Sequence, residues 1–389
     1  MSRGMPAEQS CGTVFTRTTQ GQEVVKNPFR YSCGQCGGLG SNGSVPIGRF
    51  VEVIQMHPVF SARMNVVVIG MGGTISAVSE GRTGFETYEP GRLPVAELVN
   101  ALRPEIDEIA EVGSEEFGAK SSGEYTILDY YDLSRRVDEC LRHADAVVIC
   151  SGTAALTELA YFLDLTVRSS KPVVLTGAMR PWTVLGSDGP PNLYNAVRLA
   201  ASGRTHRLGT TVLLNDQILP ARDATKTDAL RLHAFSTSEY GALGTVDEKE
   251  IRLQRAPARP EEGVRTPFDL ATIPRDGLPR IEIAGSYVDA GGEAITASVR
   301  AGAGGIVFAG VPSPRQLAAA RATEHGVTFV AANGYGAGAM RVQSKQVDVI
   351  SAGDLAPNKA RILLMLARAV TSDQVRIRDW FATIGNAQF

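Results

Sequence analysis

Two threonines follow glycines at points where a run of apolar, mostly β-branched residues gives out: Thr74 in VVVIGMGGTIS and Thr153 in AVVICSGTAALTELAYFLDL. A strand that ends in such a turn presents the next hydroxyl, with a row of backbone N–H groups, on the carboxyl rim of an α/β sheet. A hydroxyl beside amide donors is equipment for attacking a carbonyl carbon and holding the oxyanion that forms. GMGGTI could also open a dinucleotide loop, but that fingerprint needs glycine at 75, where Ile75 stands, and an acidic strand end further on. The turn is better spent on exposing Thr74.

The elements that must carry these hydroxyls are legible as patterns. Short β-branched runs at Val66–Ile69, Ala146–Cys150, Val173–Thr176 and Thr211–Leu214 read as strands, and Leu156–Val167 and Asn192–Ala201 carry helical spacing. Strands alternating with helices predict an α/β fold: a mostly parallel sheet with helices on both faces, over residues 65–258. Residues 259–279 sit in a proline-rich stretch with the composition of an extended connection. Beyond it, strands are expected at Ile281–Ala284, Gly305–Phe308 and Thr328–Ala331. Helices are expected at Glu293–Ala301, Pro314–Glu324 and Asn358–Ala369, so residues 280–389 form a smaller α/β domain. Residues 1–64 differ in composition and are either an added segment or an over-long start, with Met64 opening directly onto the first strand.

Bulk composition narrows the function classes. In 389 residues, 39 Lys and Arg stand against 41 Asp and Glu without any long block of like charge, which argues against a nucleic-acid partner. The first residues lack a signal peptide's apolar core, and no apolar run reaches the roughly 18 residues of a membrane span, so a cytoplasmic address is expected. The five cysteines do not read as a disulfide framework. Cys33 and Cys36 have the spacing of a zinc half-site, which Cys11 and His57 would complete only by folding back across the tail. His57, His143, His206, His233 and His325 are scattered, with no helical pair to hold a metal.

Four motifs appear in order: GGTI, GAMRP, DGPPNLYNAV and RDATKT, with DLAPNKARILLMLA near the end. Together they resemble the bacterial-type asparaginase/glutaminase family from about Asn65 to the C-terminus. The resemblance implies a large and a small α/β domain and a homodimer or homotetramer whose sites lie between subunits. It also implies hydrolysis of a small-molecule amide, asparagine or glutamine, with neither metal nor cofactor. Carried over by motif, Thr74 matches the nucleophile, Tyr88 its partner on a lid, Ser122 the holder of the substrate's α-carboxylate, and Thr153 and Lys226 members of a second triad. A threonine hydroxyl needs a base at neutral pH, and either Tyr88 or a Thr153–Lys226 relay would serve.

The chain also departs from the family's pattern. Ser151-Gly152-Thr153-Ala154 stands where the family has His-Gly-Thr-Asp, so the carboxylate that pairs the lysine and binds the substrate's ammonium is missing. Gly123 replaces a substrate-holding glutamine, and Asp289 an asparagine that visits from the neighbouring subunit. Removing a carboxylate from beside Lys226 lowers its pKa, and a substrate ammonium would meet no counter-charge. Three readings stay open: Ala154 is an engineered substitution that stops turnover, the substrate is N-acylated, larger or without an amino group, or catalysis has given way to amide binding.

Overall fold

A computed structural model describes residues 63–259, 266–323, 326–341 and 347–386. The readings of Cys11, Cys33, Cys36, His57 and His325, and nearly all of 1–64, lie outside the described residues. The first elements alternate, as the spacing predicts: β1 (Asn65–Gly72), α1 (Val95–Asn100), β2 (Glu111–Lys120), α2 (Ile127–Cys140), β3 (Ala146–Cys150), α3 (Leu156–Thr166), β4 (Val173–Thr176), α4 (Gly189–Ala201) and β5 (Thr210–Leu214). Short strands follow: β6 (Gln217–Pro220), β7 (Ala224–Lys226), β8 (Phe235–Thr237), β9 (Gly244–Val246) and β10 (Ile251–Leu253).

The large sheet has the order β10-β9-β6-β5-β4-β3-β1-β2. Pairing is parallel from β2 through β5 and antiparallel from β5 to β10. Strands covered on both faces read as unbroken apolar runs, and all five residues of β3 are buried. Their side chains alternate between two cores. Val147 and Ile149 face α2 and α3, while Ala146 and Val148 face α1 and α4. The chain leaves β1 for β2 on one side and returns to β3 on the other. That is a topological switch point, where the loops after adjacent strands diverge and leave a crevice.

The second sheet contains β11 (Ile281–Gly285), β12 (Gly305–Ala309), β13 (Thr328–Ala332) and β14 (Val349–Ser351), all parallel and in chain order. One face carries α5 (Glu293–Arg300) and α6 (Pro314–Arg321). The other carries α7 (Pro357–Val370), followed by α8 (Gln374–Trp380) and a π-turn at Phe381–Gly385. Pro357 opens α7, where its missing N–H costs nothing, and Ile362, Leu363 and Leu366 are fully buried. This helix packs on α3 as well as on β11, β12 and β13, so the two sheets share one core through it.

The proline-rich stretch is more than an extended tether. Phe268, Leu270 and Ile273 are buried, Phe268 packs edge-on against Trp380, and Tyr131 Oη lies 2.8 Å from the carbonyl oxygens of both Leu270 and Ile273. A tyrosine on α2 supplies the hydroxyl that meets two of its carbonyls and lets the described part of the stretch be buried.

Candidate active site

The crevice beyond β1 and β3 is built on a backbone contact. Gly73 has φ 80° and ψ −167°, a conformation open essentially to glycine alone. A Cβ placed there would lie 2.2 Å from Gly152 Cα. Residue 73 is a glycine because the two main chains touch there, whereas a Cβ at Gly152 would meet Ser122 Cβ at 2.9 Å. From the Gly73–Gly152 contact the next residues diverge as Thr74 and Thr153, 8% and 6% exposed.

Thr74 opens a 3-10 turn (Thr74–Ser76), and its Oγ1 lies 2.9 Å from Tyr88 Oη. Tyr88 arrives on a loop that Val78 and Glu89 close through an antiparallel bridge. The loop is seated on the segment after β4: Leu185 N–H donates to Arg82 O at 2.8 Å, Ser79 N–H donates to Thr183 Oγ1, and the Arg180 guanidinium lies over the Phe85 ring at 4.7 Å.

Thr153 Oγ1 accepts a 2.8 Å hydrogen bond from Lys226 Nζ. Lys226 ends β7, in a two-stranded hairpin with β8. Burial pushes its ammonium below the ordinary lysine range, and Asp228 alone opposes that shift. Helix α3 starts three residues after Thr153, with Ala155 as a cap that has no side-chain oxygen. The Ser122 hydroxyl accepts from Ala155 N–H at 3.3 Å and so ties this cap residue to the segment after β2. Among the described residues, no acceptor is bonded to the N–H of Thr153 or of Ala154. Both point of origin and helix polarity suit them to an anionic oxygen.

Thus Thr74, Tyr88, Ser122, Thr153 and Lys226 gather around the Gly73–Gly152 contact. Ala154 is exposed beside them, and a side chain grown on Gly123 would meet nothing within 4 Å. The surface is open at both of these positions. Asp289 stands apart. It sits after β11 with φ 63°, its side chain is 74% exposed and pairs with Arg315 at 3.2 Å, and it has no hydrogen bond or ion pair to the others among the described residues. Exposed Tyr287, Val288 and Tyr335 lie on the same end of the small sheet. Among the described residues no cluster of three or more His, Cys, Asp or Glu could hold a metal ion.

Two supporting residues carried no assigned role in the sequence. Asp188, buried, accepts from the N–H groups of Met179 and Arg180 and from Asn192 Nδ2, which also donates to Gly177 O. These bonds fix the GAMRP turn that follows β4 and seats the Tyr88 loop. Lys359 is 2% exposed, and its Nζ donates to the carbonyls of Ala221, Arg222 and Ala224 at 2.9, 2.5 and 2.6 Å. The available signal was its position on the apolar stripe of α7, where a lysine is costly without partners.

Family models agree with this architecture. The N-terminal asparaginase model matches residues 65–259, and the glutaminase/asparaginase C-terminal domain matches 280–381. The chain is 36% identical to L-asparaginase 2 of Escherichia coli over 82% of its length and 92% of that protein's. It is 34% identical to the glutaminase-asparaginase of Acinetobacter glutaminasificans over 82% and 98%. A crystal structure of a probable cytoplasmic L-asparaginase from Campylobacter jejuni superposes with a TM-score of 0.78 at 34% identity, covering 82% of this chain and 99% of that one. The chain belongs to the asparaginase/glutaminase family of amidohydrolases. No helix among the described residues is long and apolar enough to cross a membrane.

Proposed function

We propose that this chain hydrolyses a carboxamide by attack of Thr74 Oγ1, on a substrate whose α-amino group is acylated or absent, or which is larger than a free amino acid. The observation that carries the reading is the pair of hydrogen bonds, Thr74 to Tyr88 and Lys226 to Thr153, issuing from one glycine contact at the switch point. Tyr88, or Lys226 through Thr153, takes the hydroxyl proton as Oγ1 bonds to the amide carbon. The N–H groups of Thr153 and Ala154 receive the carbonyl oxygen as it becomes an oxyanion. The C–N bond then breaks, ammonia leaves with the returned proton, and water cleaves the Thr74 ester to give the acid. Ser122 binds the substrate's carboxylate.

The choice of substrate rests on what surrounds the hydroxyls. An ammonium bound beside Ala154 would find no carboxylate to pair with, and at this exposed position the missing pair is worth about 1 kcal/mol. The openness at Gly123 and Ala154 leaves room for an acyl group instead. We further propose a homodimer or homotetramer in which Asp289 of a second copy closes the site, since that end of the small sheet is both exposed and apolar. The proposed address is cytoplasmic.

Ammonia release from asparagine, glutamine and their N-acyl derivatives tests the reading. N-acyl amides should be turned over fastest, and Thr74→Ala should lower that rate by at least about three orders of magnitude. Binding of an amide without ammonia release from any of them would leave an amide-binding protein. Unchanged turnover in Thr74→Ala would remove the nucleophile assignment.

A further inference from the structure

The Lys226–Thr153 hydrogen bond joins two segments 73 residues apart in the chain, one following β3 and the other ending the first strand of the β7–β8 hairpin. Thr153 precedes α3; Lys226 ends β7, which follows a short connection, residues 221–223, outside the large sheet. Both are met by the first two turns of α7. On one side, Arg361 Nη1 lies 3.7 Å from Glu158 in the first turn of α3. On the other, Lys359 Nζ collects three carbonyls from the loop 221–224, the last of them two residues before Lys226.

We propose that Lys359 is a positioning residue for the reaction: its buried head group fixes residues 221–224 and so sets where Lys226 Nζ meets Thr153 Oγ1. This rests on the reading of Lys226 as part of the catalytic machinery. In its ammonium form the head group has three N–H donors and no acceptor, and here three carbonyls meet it, so while it is protonated one atom holds the backbone at three points. An apolar side chain of the same length would fill the space without directing the loop. The remaining anchors agree: Arg222 Nε donates to Gly385 O at 2.8 Å, and its Nη2 pairs with Asp354. Lys359 makes its bonds to main chain rather than to the crevice, so it acts through Lys226. The charged groups around it are Asp223 and Arg222 on the loop and Asp164 on α3. Lys226 has Asp228 and the face of the Phe235 ring, 6.0 Å away.

The test uses the full chain with Lys359→Met, its folding checked by circular dichroism, and steady-state turnover of the preferred amide across pH. The expected result is a kcat lower by about 10- to 100-fold with KM changed by less than about threefold, the signature of a misplaced group and not of lost binding. The rising limb of the pH–kcat profile should also move to higher pH, because a loosened Lys226 is better hydrated and keeps its proton longer. Lys359→Gln retains two N–H donors and should fall between, and it carries the test if the Met variant does not fold. A folded variant with the parent's kcat and pH limb overturns the proposal, as does a loss of rate that only tracks the folded fraction. If neither variant folds, the lysine serves the fold alone and the proposal fails. Lys226→Met separates the two levels. Full activity there overturns the reading of the site; an inactive Lys226→Met beside an unaltered Lys359→Met overturns only the role of Lys359.

Discussion

Lys226 Nζ bonds to Thr153 Oγ1 at 2.8 Å, and the residue after Thr153 is an alanine, so the lysine meets a hydroxyl with no acidic side chain next to it in the chain. Charge at this point of the site is set by burial and by the distant carboxylate of Asp228.

Ala154→Asp should therefore act on recognition and on protonation together. A carboxylate there offers a counter-charge to a free amino acid and stabilises the Lys226 ammonium. Because residue 154 is exposed, the gain is modest: kcat/KM for asparagine should rise by about tenfold or more relative to N-acyl asparagine. Competition assays with the two amides read this ratio directly. An unchanged ratio would show that the substrate's amino group lies elsewhere.

The depressed pKa of Lys226 gives turnover a direction with pH. A base works when neutral, so the rate should climb as pH rises through a value below the ordinary 10.5. In Lys226→Met that limb should vanish along with most of the rate. In Ala154→Asp it should move upward. A limb that survives in Lys226→Met belongs to another group.

Stability should show the buried lysine of α7. Burial pushes Lys359 down to about 7 from 10.5, with Asp223 opposing. Between those values the unfolded chain binds more protons than the folded one. The unfolding free energy therefore rises with pH over that window, by up to a few kcal/mol. Lys359→Met should flatten this difference. Denaturant titrations at pH 7 and 9.5 on parent and variant measure it, and equal slopes would mean that Lys359 does not titrate in the window.

Gly73→Ala is expected to damage fold and site at once. The new methyl would stand 2.2 Å from Gly152 Cα at a φ of 80°, so the loops must part or strain by roughly 2–3 kcal/mol. A lowered melting temperature should accompany loss of turnover far beyond the unfolded fraction. A variant with normal melting and activity would mean that the contact at the switch point is dispensable.

Much of the fold could be read from the chain because its buried strands and helices state their environment. Ala146–Cys150 and Val173–Thr176 match the observed strands to the residue, and Leu156, Gly305, Thr328 and Pro314 start the elements expected of them. The strands that were not read are short or sit at the margins. β7, β8, β9 and β10 have three residues each, too few for a period, and form because a neighbour offers a ladder. β2 runs EVGSEEFGAK along the outer edge, where one neighbour and much solvent leave its pattern polar. At the site, the glycine turns announced two hydroxyls locally. The pairing of Lys226 with Thr153 spans 73 residues, and only the family resemblance suggested it. Nothing local could assign Asp188 or Lys359 a role, because their partners are main-chain atoms from other segments.

The touching main chains of residues 73 and 152 also limit how this protein can diversify. Neither loop can be lengthened without carrying the other's hydroxyl away, so remodelling by insertion is closed off there. What stays free to vary is the identity of side chains at the open mouth. That is the form taken at the exposed positions 123 and 154: exchanges of one residue for another on a frame whose spacing is kept.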